Sequence, residues 1–544
     1  MLLRSGLCAF VSLVSLTSII LIAHLYSTQG APSADWIPDH IAPHLPAQLR
    51  PHGADINKQN CSRRIDWLDR KDRSSPFQYA RRDIVVRQSS TAKRTLLTKV
   101  NEPLFPDVQQ ADLSADSSIQ LEYCKEPLVL HVPAYSKKPV DASNIIFGIQ
   151  TTMQRLDDTI EALVRWLPST RAEGAKLFVI VKESEELEAN EGAMKDLELK
   201  MRAQDLDVTL VPPFAGDSFS ERYFSLVKIM YNHRNDQTQW ISLIDDDTFF
   251  PSMHSLLETL AKHDPKEQHY IGSLSEDWWS VSVYGLMGFG GAGVFLSIAL
   301  AEVIDDNYAK CKDESHTTAG DIRVKECIYA HSNVKLTNIP ELHQVDFKGD
   351  KSGYYESGHL PLSLHHWKDW STDGADYLLA KMHLVSDICG DCFMQRWQFG
   401  KDTILSNGFS VAIYSKGILE TIDLDRMEGT WDPGNQVEGS INHGFDHSLG
   451  PARRRLGADE KVQYMLLEAV AIDGGVRQTY LHDGKDGQLD TVLELFWTEE
   501  EARDKDIEAE KPVGQEKADQ SENENLATES EENGKDEQQL QSVG

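Results

Sequence analysis

Residues Trp240 to Phe250 read WISLIDDDTFF: a mostly apolar run leads directly into three aspartates, and the chain then becomes apolar again. A short apolar run of this kind is typical of a buried strand. Three like charges at the end of a buried strand repel one another and lose hydration, unless something cationic lies beside them. The stretch therefore raises the hypothesis of a metal site at a strand end.

Similar apolar runs occur before this stretch and alternate with segments of helical periodicity. The strand-type segments lie within residues 144–156, 175–181, 207–213 and 240–244, and the helical segments within 157–167 and 220–234. Strands that alternate with helices indicate a largely parallel α/β sheet. In such sheets the ligand crevice lies at the carboxyl ends of the strands, and Asp245–Asp247 follow one of those ends.

In extended backbone, Asp245 and Asp247 point to the same side of the strand and Asp246 points away. Two carboxylates on one side suit a hard divalent cation such as Mg²⁺ or Mn²⁺, which favours oxygen ligands. The alternative is a turn followed by a helix cap, because PSMHSLLETLAKH (251–263) has helical character. The aspartates alone do not decide between these two interpretations.

Three later segments bear on that choice. GFGGAGVFLS (288–297) has four glycines in six residues, which allows close approach of backbone to a ligand or simply makes a turn. LSLHHW (362–367) places His365 and His366 after an apolar lead, where an imidazole can join the metal ligands or serve packing. The helical segment 317–332 has Asp321 in its first turn, as a general base or as a cap.

The two ends of the chain differ in character from its centre. Residues 5–26 form 22 positions without a formal charge after Arg4, which favours an uncleaved type II signal anchor with a lumenal remainder; a cleaved signal peptide is the alternative. Residues 498–544 carry 16 acidic against 5 basic side chains and predict a disordered tail. The net charge of −32 argues against a nucleic-acid partner.

Six cysteines follow Cys8, an even number that suits an oxidising compartment. Proximity in sequence favours the pairs Cys311–Cys327 and Cys389–Cys392, which leaves Cys61 and Cys124. The CGDC of residues 389–392 alternatively forms a redox pair or half of a zinc site, but no second CxxC accompanies it. Residues 27–140 predict a stem and irregular lead-in, and the apolar runs after residue 400 predict a small β-rich C-terminal region.

The segments FGIQTTMQRLDDTIEALVRWLP, RYFSLVKIMY, LIDDDTFF, GGAGVFLS, GDIRVKECI and SLHHW follow one another in an order that resembles Fringe-like glycosyltransferases of family 31. The resemblance covers roughly residues 144–367 and continues more weakly in a fungal and plant type with an extra C-terminal region. It implies a GT-A nucleotide-binding α/β sheet, a manganese ion, a UDP-sugar donor and inverting transfer to a hydroxyl of a glycan or glycoprotein.

The resemblance also assigns roles to residues. Asp247 matches the direct metal ligand, with Asp245 and Asp246 nearer the ribose or the waters of the metal. His365 matches the metal-binding histidine better than His366 does. Asp321 matches the base, although the family often has two acids before its glycine, so Asp313, Glu314 and Glu326 remain alternatives. The implied nucleotide-binding residues are Thr151, Thr152, Arg155, Asp245 and Asp246, and the implied donor and acceptor contacts are Gly290, Gly291, Ala292 and Gly293.

Trp278 and Trp279, in SEDWW, lie outside the family pattern and either stack on an acceptor sugar or pack in the core. We predict six regions: a cytoplasmic N-terminus (1–4), a membrane anchor (5–26), a stem and lead-in (27–140), a GT-A catalytic domain (141–400), a β-rich C-terminal region (401–497) and a disordered acidic tail (498–544). The predicted activity is that of a Golgi or ER glycosyltransferase. A non-catalytic lumenal sugar-binding protein and a metal-dependent phosphoesterase are the alternatives.

Overall fold

The computed structural model of the 544-residue chain describes residues 62–65, 67–68, 76–113, 118–121, 126–136, 140–167, 174–183, 190–368, 377–432, 444–472, 474–485 and 487–500. The chain divides into two compact units, Met1–Arg73 with Leu113–Cys124, and Ser74–Asp112 with Lys125–Gly544. In the first unit, strands β1 (Ser62–Arg64) and β5 (Ser118–Gln120) pair in antiparallel fashion. All other elements belong to the second unit.

The second unit contains two sheets and their helices. The remaining strands are β2 (Phe77–Ser89), β3 (Thr98–Val100), β4 (Gln109–Ala111), β6 (Leu128–Pro133), β7 (Ile145–Thr151), β8 (Lys176–Val181), β9 (Val208–Val211), β10 (Trp240–Leu243), β11 (Tyr270–Gly272), β12 (Val294–Ser297), β13 (Leu336–Asn338), β14 (Arg396–Phe399), β15 (Thr403–Ser406), β16 (Ser410–Tyr414), β17 (Lys461–Ile472), β18 (Gly475–His482) and β19 (Thr491–Glu499). The α-helices are α1 (Met153–Trp166), α2 (Glu191–Arg202), α3 (Phe219–Asn232), α4 (Met253–Leu260), α5 (Trp278–Tyr284), α6 (Ile298–Asp306), α7 (Tyr308–Glu314), α8 (Gly320–His331), α9 (Ser352–Tyr355), α10 (Leu379–Met382), α11 (Ser386–Cys389) and α12 (Asp446–Leu449).

The first sheet has seven strands in the order β13-β11-β12-β10-β7-β8-β9. The four strands β10, β7, β8 and β9 are parallel, as their alternation with helices predicts. β12 runs antiparallel to both β10 and β11, so the sheet is mixed. The α/β prediction is thus confirmed, and the expectation of a largely parallel sheet holds for the β10-to-β9 half.

Alternating side chains of the central strands enter two separate cores. Phe147 on β7 meets Trp166 of α1 with ring centroids 5.2 Å apart, on one face of the sheet. Ile146 packs on the opposite face with Leu226 and Met230 of α3. Since burying a large apolar side chain stabilises a fold by about 1.5–3 kcal/mol, these two layers hold the strand ends in fixed positions.

The second sheet has ten strands, and it corrects one expectation. Residues 27–140 were expected to be irregular, yet β2, β3, β4 and β6 lie in this range and join β14–β19. β2 pairs in parallel with β19, with Gln78 opposite Thr491. β2 reads FQYARRDIVVRQS, and its arginines obscure the alternating pattern; Arg81 binds Glu494 of β19 across the sheet.

Both cysteine pairs favoured by proximity are confirmed as disulfides, Cys311–Cys327 and Cys389–Cys392. Cys61 and Cys124 lie outside the described residues, as do the predicted anchor at 5–26 and the acidic residues from 501 onward. β19 extends to Glu499, two residues into the predicted tail. Within the described part of the chain, we find no helix with the length and apolar character needed to cross a bilayer.

Candidate active site

The three aspartates lie at the carboxyl ends of parallel strands, where α/β sheets bind their ligands. After β10, Ile244 still donates its N–H to Gly148 of β7 (3.1 Å), so Asp245 to Asp247 emerge at the carboxyl end of two parallel strands. A cavity of about 480 Å³ opens there, a size that suits a small-molecule ligand. Its lining comprises Gln150, Thr151, Thr152, Arg155, Lys182, Glu183, Phe219, Arg222, Asp245, Asp246, Asp247, His365 and His366.

Asp245 and Asp247 converge on one imidazole. His365 Nε2 lies 2.9 Å from Asp247 Oδ1 and 3.3 Å from Asp245 Oδ2, and its Nδ1 lies 3.2 Å from the Gln344 carbonyl oxygen. Burial opposes the charge on His365, but Asp247 and Asp245 together raise its pKa well above its usual value. Burial likewise opposes ionisation of Asp247, but His365, His366 and Arg155 hold its pKa well below the usual value.

Asp246 points the other way, toward the start of α1. Arg155 donates to both of its carboxylate oxygens, with Nε–Oδ2 and Nη2–Oδ1 distances of 2.6 Å, and Thr151 Oγ1 donates to Oδ2. This paired geometry fixes the orientation of Asp246. The helix begins here because the Thr152 hydroxyl accepts from the Arg155 N–H and caps it.

The turn-and-cap interpretation of the aspartates does not account for their side chains. Helix α4 is capped by Ser252, whose hydroxyl accepts from the Ser255 N–H (3.2 Å). The turn after β10 is closed by Thr248, whose hydroxyl accepts from the Asp245 N–H (3.1 Å). All three carboxylates are therefore left to line the cavity.

A single backbone bridge brings His365 to the aspartates. Phe249 and Leu364 exchange two N–H···O bonds of 2.8 Å, so the residue after Leu364 lies beside the end of β10. The glycine-rich loop is tied to the same point, because Thr248 Oγ1 donates to the Gly291 carbonyl (2.8 Å) and Ser363 Oγ donates to that of Ala292 (2.6 Å). The end of β10, the glycine-rich loop and the segment that carries His365 are distant in sequence but lie together beside the aspartates.

The imidazole of His366 lies beside that of His365, with ring centroids 3.8 Å apart, but has its own partners. His366 has a φ of +50°, a conformation that is uncommon for residues other than glycine. Its Nε2 lies 3.2 Å from Asp346 Oδ1, and buried Lys351 donates to its carbonyl oxygen (2.7 Å). Asp247, His365 and His366 nevertheless present ligand atoms within 4.8 Å of one another.

The donor set fits a divalent cation. Two carboxylates and an imidazole provide the oxygen and nitrogen ligands that Mn²⁺ accepts. The carboxylates of Asp245 and Asp247 favour a positive charge beside them, which is why they raise the pKa of His365.

The glycine-rich loop is shaped by close contacts. A Cβ on Gly291 would lie 2.2 Å from two ring atoms of His365, and Gly293 has a φ of +95°. No other residue type fits against the imidazole at position 291 without displacing it.

We therefore predict that Gly291→Ala lowers the free energy of unfolding by about 1–3 kcal/mol, the usual cost of overpacking. Denaturant unfolding measures this change. Gly192→Ala is the control, because a Cβ at this exposed position in helix α2 approaches only Asn190 Oδ1, at 3.1 Å. Equal effects of the two substitutions would contradict the prediction.

Asp321 lies in the first turn of α8, beside the glycine-rich loop. Its Oδ1 accepts from the Ile322 N–H (2.9 Å). Burial and the nearby charge of Asp245 raise its pKa to about 6, against the pull of the Ile322 and Gly290 N–H groups. The alternative acids Asp313, Glu314 and Glu326 are exposed on α7 and α8.

The raised pKa of Asp321 makes the stability of the metal-free protein depend on pH. Because folded Asp321 holds its proton more tightly than the unfolded chain does, its contribution to stability is complete below pH 4 and is lost as the pH rises to about 6. We predict that Asp321→Asn becomes more stable than the parent across this window, by at most about 3 kcal/mol. Denaturant unfolding of both proteins in EDTA, at pH 4 and at pH 7, measures this difference in the free energy of unfolding. Exposed Asp313→Asn should show no such change; a pH-independent difference for Asp321→Asn would refute the assignment.

Trp278 and Trp279 do not pack in the core. They begin α5 and are 55% and 57% exposed. Lys325, one helical turn after Asp321, donates to the Tyr284 carbonyl at the end of α5 (3.0 Å), which ties α5 to the helix of the candidate base.

Five cavity residues were not found from the sequence: Gln150, Lys182, Glu183, Phe219 and Arg222. Lys182 directly follows β8, so its position at the carboxyl end of a parallel strand was a usable signal. Phe219 and Arg222 lie at the start of α3, and only the packing of α3 on the sheet brings them to the aspartates.

Comparison with known protein families gives a partial match. A family model described as "Protein of unknown function, DUF604" matches residues 280–372, a range that contains the glycine-rich loop, Asp321 and His365. The human protein named Beta-1,3-glucosyltransferase is 27% identical over 153 residues, which are 28% of this chain and 28% of that protein. The chain thus matches less than a third of that relative. Neither match confirms the Fringe-like family 31 assignment, which stays a prediction.

Solved glycosyltransferases are among the structures that resemble the chain. Mouse xyloside xylosyltransferase 1 gives a TM-score of 0.26 at 11% identity, covering 41% of this chain and 96% of its own. The galactosyltransferase LgtC gives a TM-score of 0.26 at 13% identity; the match covers 43% of this chain and 88% of LgtC. At these TM-scores the likeness carries no argument about activity.

Proposed function

We propose that this chain is a glycosyltransferase that moves a sugar from a UDP-sugar to a hydroxyl of a glycan or glycoprotein, with a GT-A type sheet as its nucleotide-binding domain. The observation that carries the proposal is the single cavity lined by three aspartates, His365 and the side chains of Arg155, Lys182 and Arg222. Carboxylates and imidazole suit a divalent cation, and the basic side chains suit a diphosphate. The partial similarity to a human β-1,3-glucosyltransferase supports the same class.

Asp245, Asp247 and His365 would hold Mn²⁺ or Mg²⁺. When bound, such an ion neutralises the charge that develops on the departing diphosphate. Asp246 is held by Arg155 and Thr151 at the edge of the cavity, where its backbone and the neighbouring Thr152 would contact the nucleoside.

Asp321 would take the proton from the acceptor hydroxyl as that oxygen attacks the anomeric carbon from the face opposite the diphosphate, which inverts the configuration. A pKa of about 6 leaves Asp321 ionised at neutral pH and still a useful base. The loop Gly290 to Gly293 separates Asp321 from His365 and would lie where donor and acceptor meet. Trp278 and Trp279 present exposed aromatic faces that would support the acceptor glycan.

Two other functions have less support than sugar transfer. A metal-dependent phosphoesterase of this type normally uses two metals, whereas the described residues contain one group of three metal-capable side chains, Asp247, His365 and His366. A non-catalytic sugar-binding protein has no need of a carboxylate with a raised pKa beside the loop. We also propose a Golgi or ER lumenal location with a type II anchor at residues 5–26; the two disulfides suit an oxidising compartment.

The test is UDP release from a panel of UDP-sugars, with UDP-glucose first, in Mn²⁺ or in EDTA. We expect turnover that requires the metal and an acceptor. Absence of metal-dependent turnover with every donor would refute the transferase proposal. Hydrolysis of phosphate esters without sugar transfer would favour the phosphoesterase.

A further inference from the structure

Tyr223 of helix α3 is a buried residue that the proposed mechanism does not use. It is 4% exposed, and its hydroxyl oxygen is buried without a hydrogen-bond partner among the described residues. A buried tyrosine hydroxyl normally finds a partner, so this unpaired group calls for an explanation.

Two glycines of the candidate site pack directly against Tyr223. A Cβ on Gly320, the residue before Asp321, would lie 2.4–2.5 Å from Cβ, Cγ and Cδ1 of Tyr223. A Cβ on Gly290, the first residue of the loop Gly290 to Gly293, would lie 2.3 Å from the tyrosine hydroxyl oxygen. One end of Tyr223 therefore contacts the helix that carries the candidate base, and the other end contacts the glycine-rich loop.

The carboxylate of Asp321 faces the same end of that loop. The N–H of Gly290 is one of the groups that hold down the pKa of Asp321, together with the N–H of Ile322. The hydroxyl of Tyr223 and the carboxylate of Asp321 thus both lie beside Gly290. An ionised carboxylate has about four acceptor positions, so these two N–H groups leave room for another donor.

The electrostatics keep the hydroxyl of Tyr223 a donor. Burial, and then the negative charges of Asp245 and Asp321, raise the pKa of Tyr223 well above its usual value, so the O–H keeps its proton. The carboxylate of Asp245 is half-exposed and lies 3.3 Å from His365 Nε2. Asp321 is therefore the buried carboxylate that this O–H is suited to pair with.

We propose that Tyr223 is a positioning residue for Asp321: its O–H donates to the ionised carboxylate and holds one oxygen, so that the other faces the acceptor hydroxyl. The proton of that hydroxyl moves to the free oxygen of Asp321, and the proton of Tyr223 stays on the tyrosine. This inference rests on the proposed function and adds to it a residue that acts through the base.

The test compares Tyr223→Phe with the parent as full-length proteins. We expect kcat for UDP release, with the preferred donor of the panel at saturating Mn²⁺, to fall by roughly 10- to 150-fold, the range for one hydrogen bond to a charged group. Calorimetric titration with UDP should give an unchanged affinity. The unfolding midpoint in EDTA at pH 5, where Asp321 holds its proton, should not fall, because the substitution removes a buried hydroxyl that has no partner.

Tyr355→Phe is the matched control. Tyr355 is likewise fully buried with an unpaired hydroxyl, but it lies on α9, and burial and the neighbouring Tyr377 raise its pKa. This variant should keep the kcat of the parent.

A second comparison places Tyr223→Phe in the Asp321→Asn background. Asparagine cannot act as the base, so the hydroxyl has no base left to position. We expect Tyr223→Phe to change the residual rate of Asp321→Asn by no more than about twofold, as for sites whose coupling has been removed.

The outcomes separate this inference from the function itself. If Tyr223→Phe keeps the parental kcat, or loses UDP affinity and stability together with kcat, the positioning role is refuted while the transferase proposal stands. Equal losses of rate in the parent and Asp321→Asn backgrounds would mean that the hydroxyl does not act through Asp321, which also refutes it. If the parent shows no metal-dependent turnover with any donor, the inference fails with the proposed function.

Discussion

Asp247→Ala should reduce metal-dependent sugar transfer by about a thousandfold or more and leave the fold intact. Asp247 Oδ1 is the carboxylate oxygen closest to His365 Nε2, at 2.9 Å, and Asp247 is buried where Asp245 is half-exposed. A bound metal supplies several kcal/mol of charge stabilisation to such a reaction, and each 1.36 kcal/mol is a factor of ten in rate. The measurement is UDP release with the preferred donor at saturating Mn²⁺.

Asp247→Asn, which keeps the shape of the side chain, guards against a folding defect in the alanine variant and should show a similar loss. Exposed Asp236→Ala, a few residues before β10, is the matched control and should retain full activity. If both Asp247 variants fold and remain active, the metal assignment is wrong.

Asp321→Asn should bind UDP as tightly as the parent and transfer sugar about a hundred- to ten-thousandfold more slowly, the usual contribution of a general base. The reason is that asparagine keeps the hydrogen bonds at the start of α8 but cannot accept a proton from the acceptor hydroxyl. Calorimetry with UDP and single-turnover transfer assays separate the two effects.

The parent enzyme should also gain activity as the pH rises toward and through about 6, since the base must be ionised. Asp321→Asn should lack this rise in its residual activity. Glu326→Gln, on the same helix but exposed, is the control. Unchanged transfer by Asp321→Asn would move the base to another residue.

Several features of the candidate site are determined by short stretches of sequence. The apolar run Trp240–Ile244 makes a strand because its side chains fill cores on both faces of the sheet, and the aspartates follow because the strand ends there. Cys311 and Cys327, which are 16 residues apart, lie on adjoining helices α7 and α8 and form a disulfide. Periodicity, turn residues and short loop closure act over a few residues, so they can be read from one segment at a time.

Other features follow only from long-range pairing. The resemblance favours His365 over His366, but only the bridge between Phe249 and Leu364 brings His365 to Asp247. The same applies to Phe219 and Gln150, which meet in one cavity because α3 packs against β7.

The second sheet makes the same point on a larger scale. By itself, the sequence predicted the α/β character of the centre of the chain, the strand-end aspartates and, from proximity, the two cysteine pairs that form disulfides. The tertiary structure decided that β2 pairs with β19, more than 400 residues away in sequence (Gln78 opposite Thr491), and that His365 contacts Asp247. The physical reason is that a strand's hydrogen-bonding groups are the same along any chain. Its partner is therefore selected by which faces can be buried together, a property of the assembled fold.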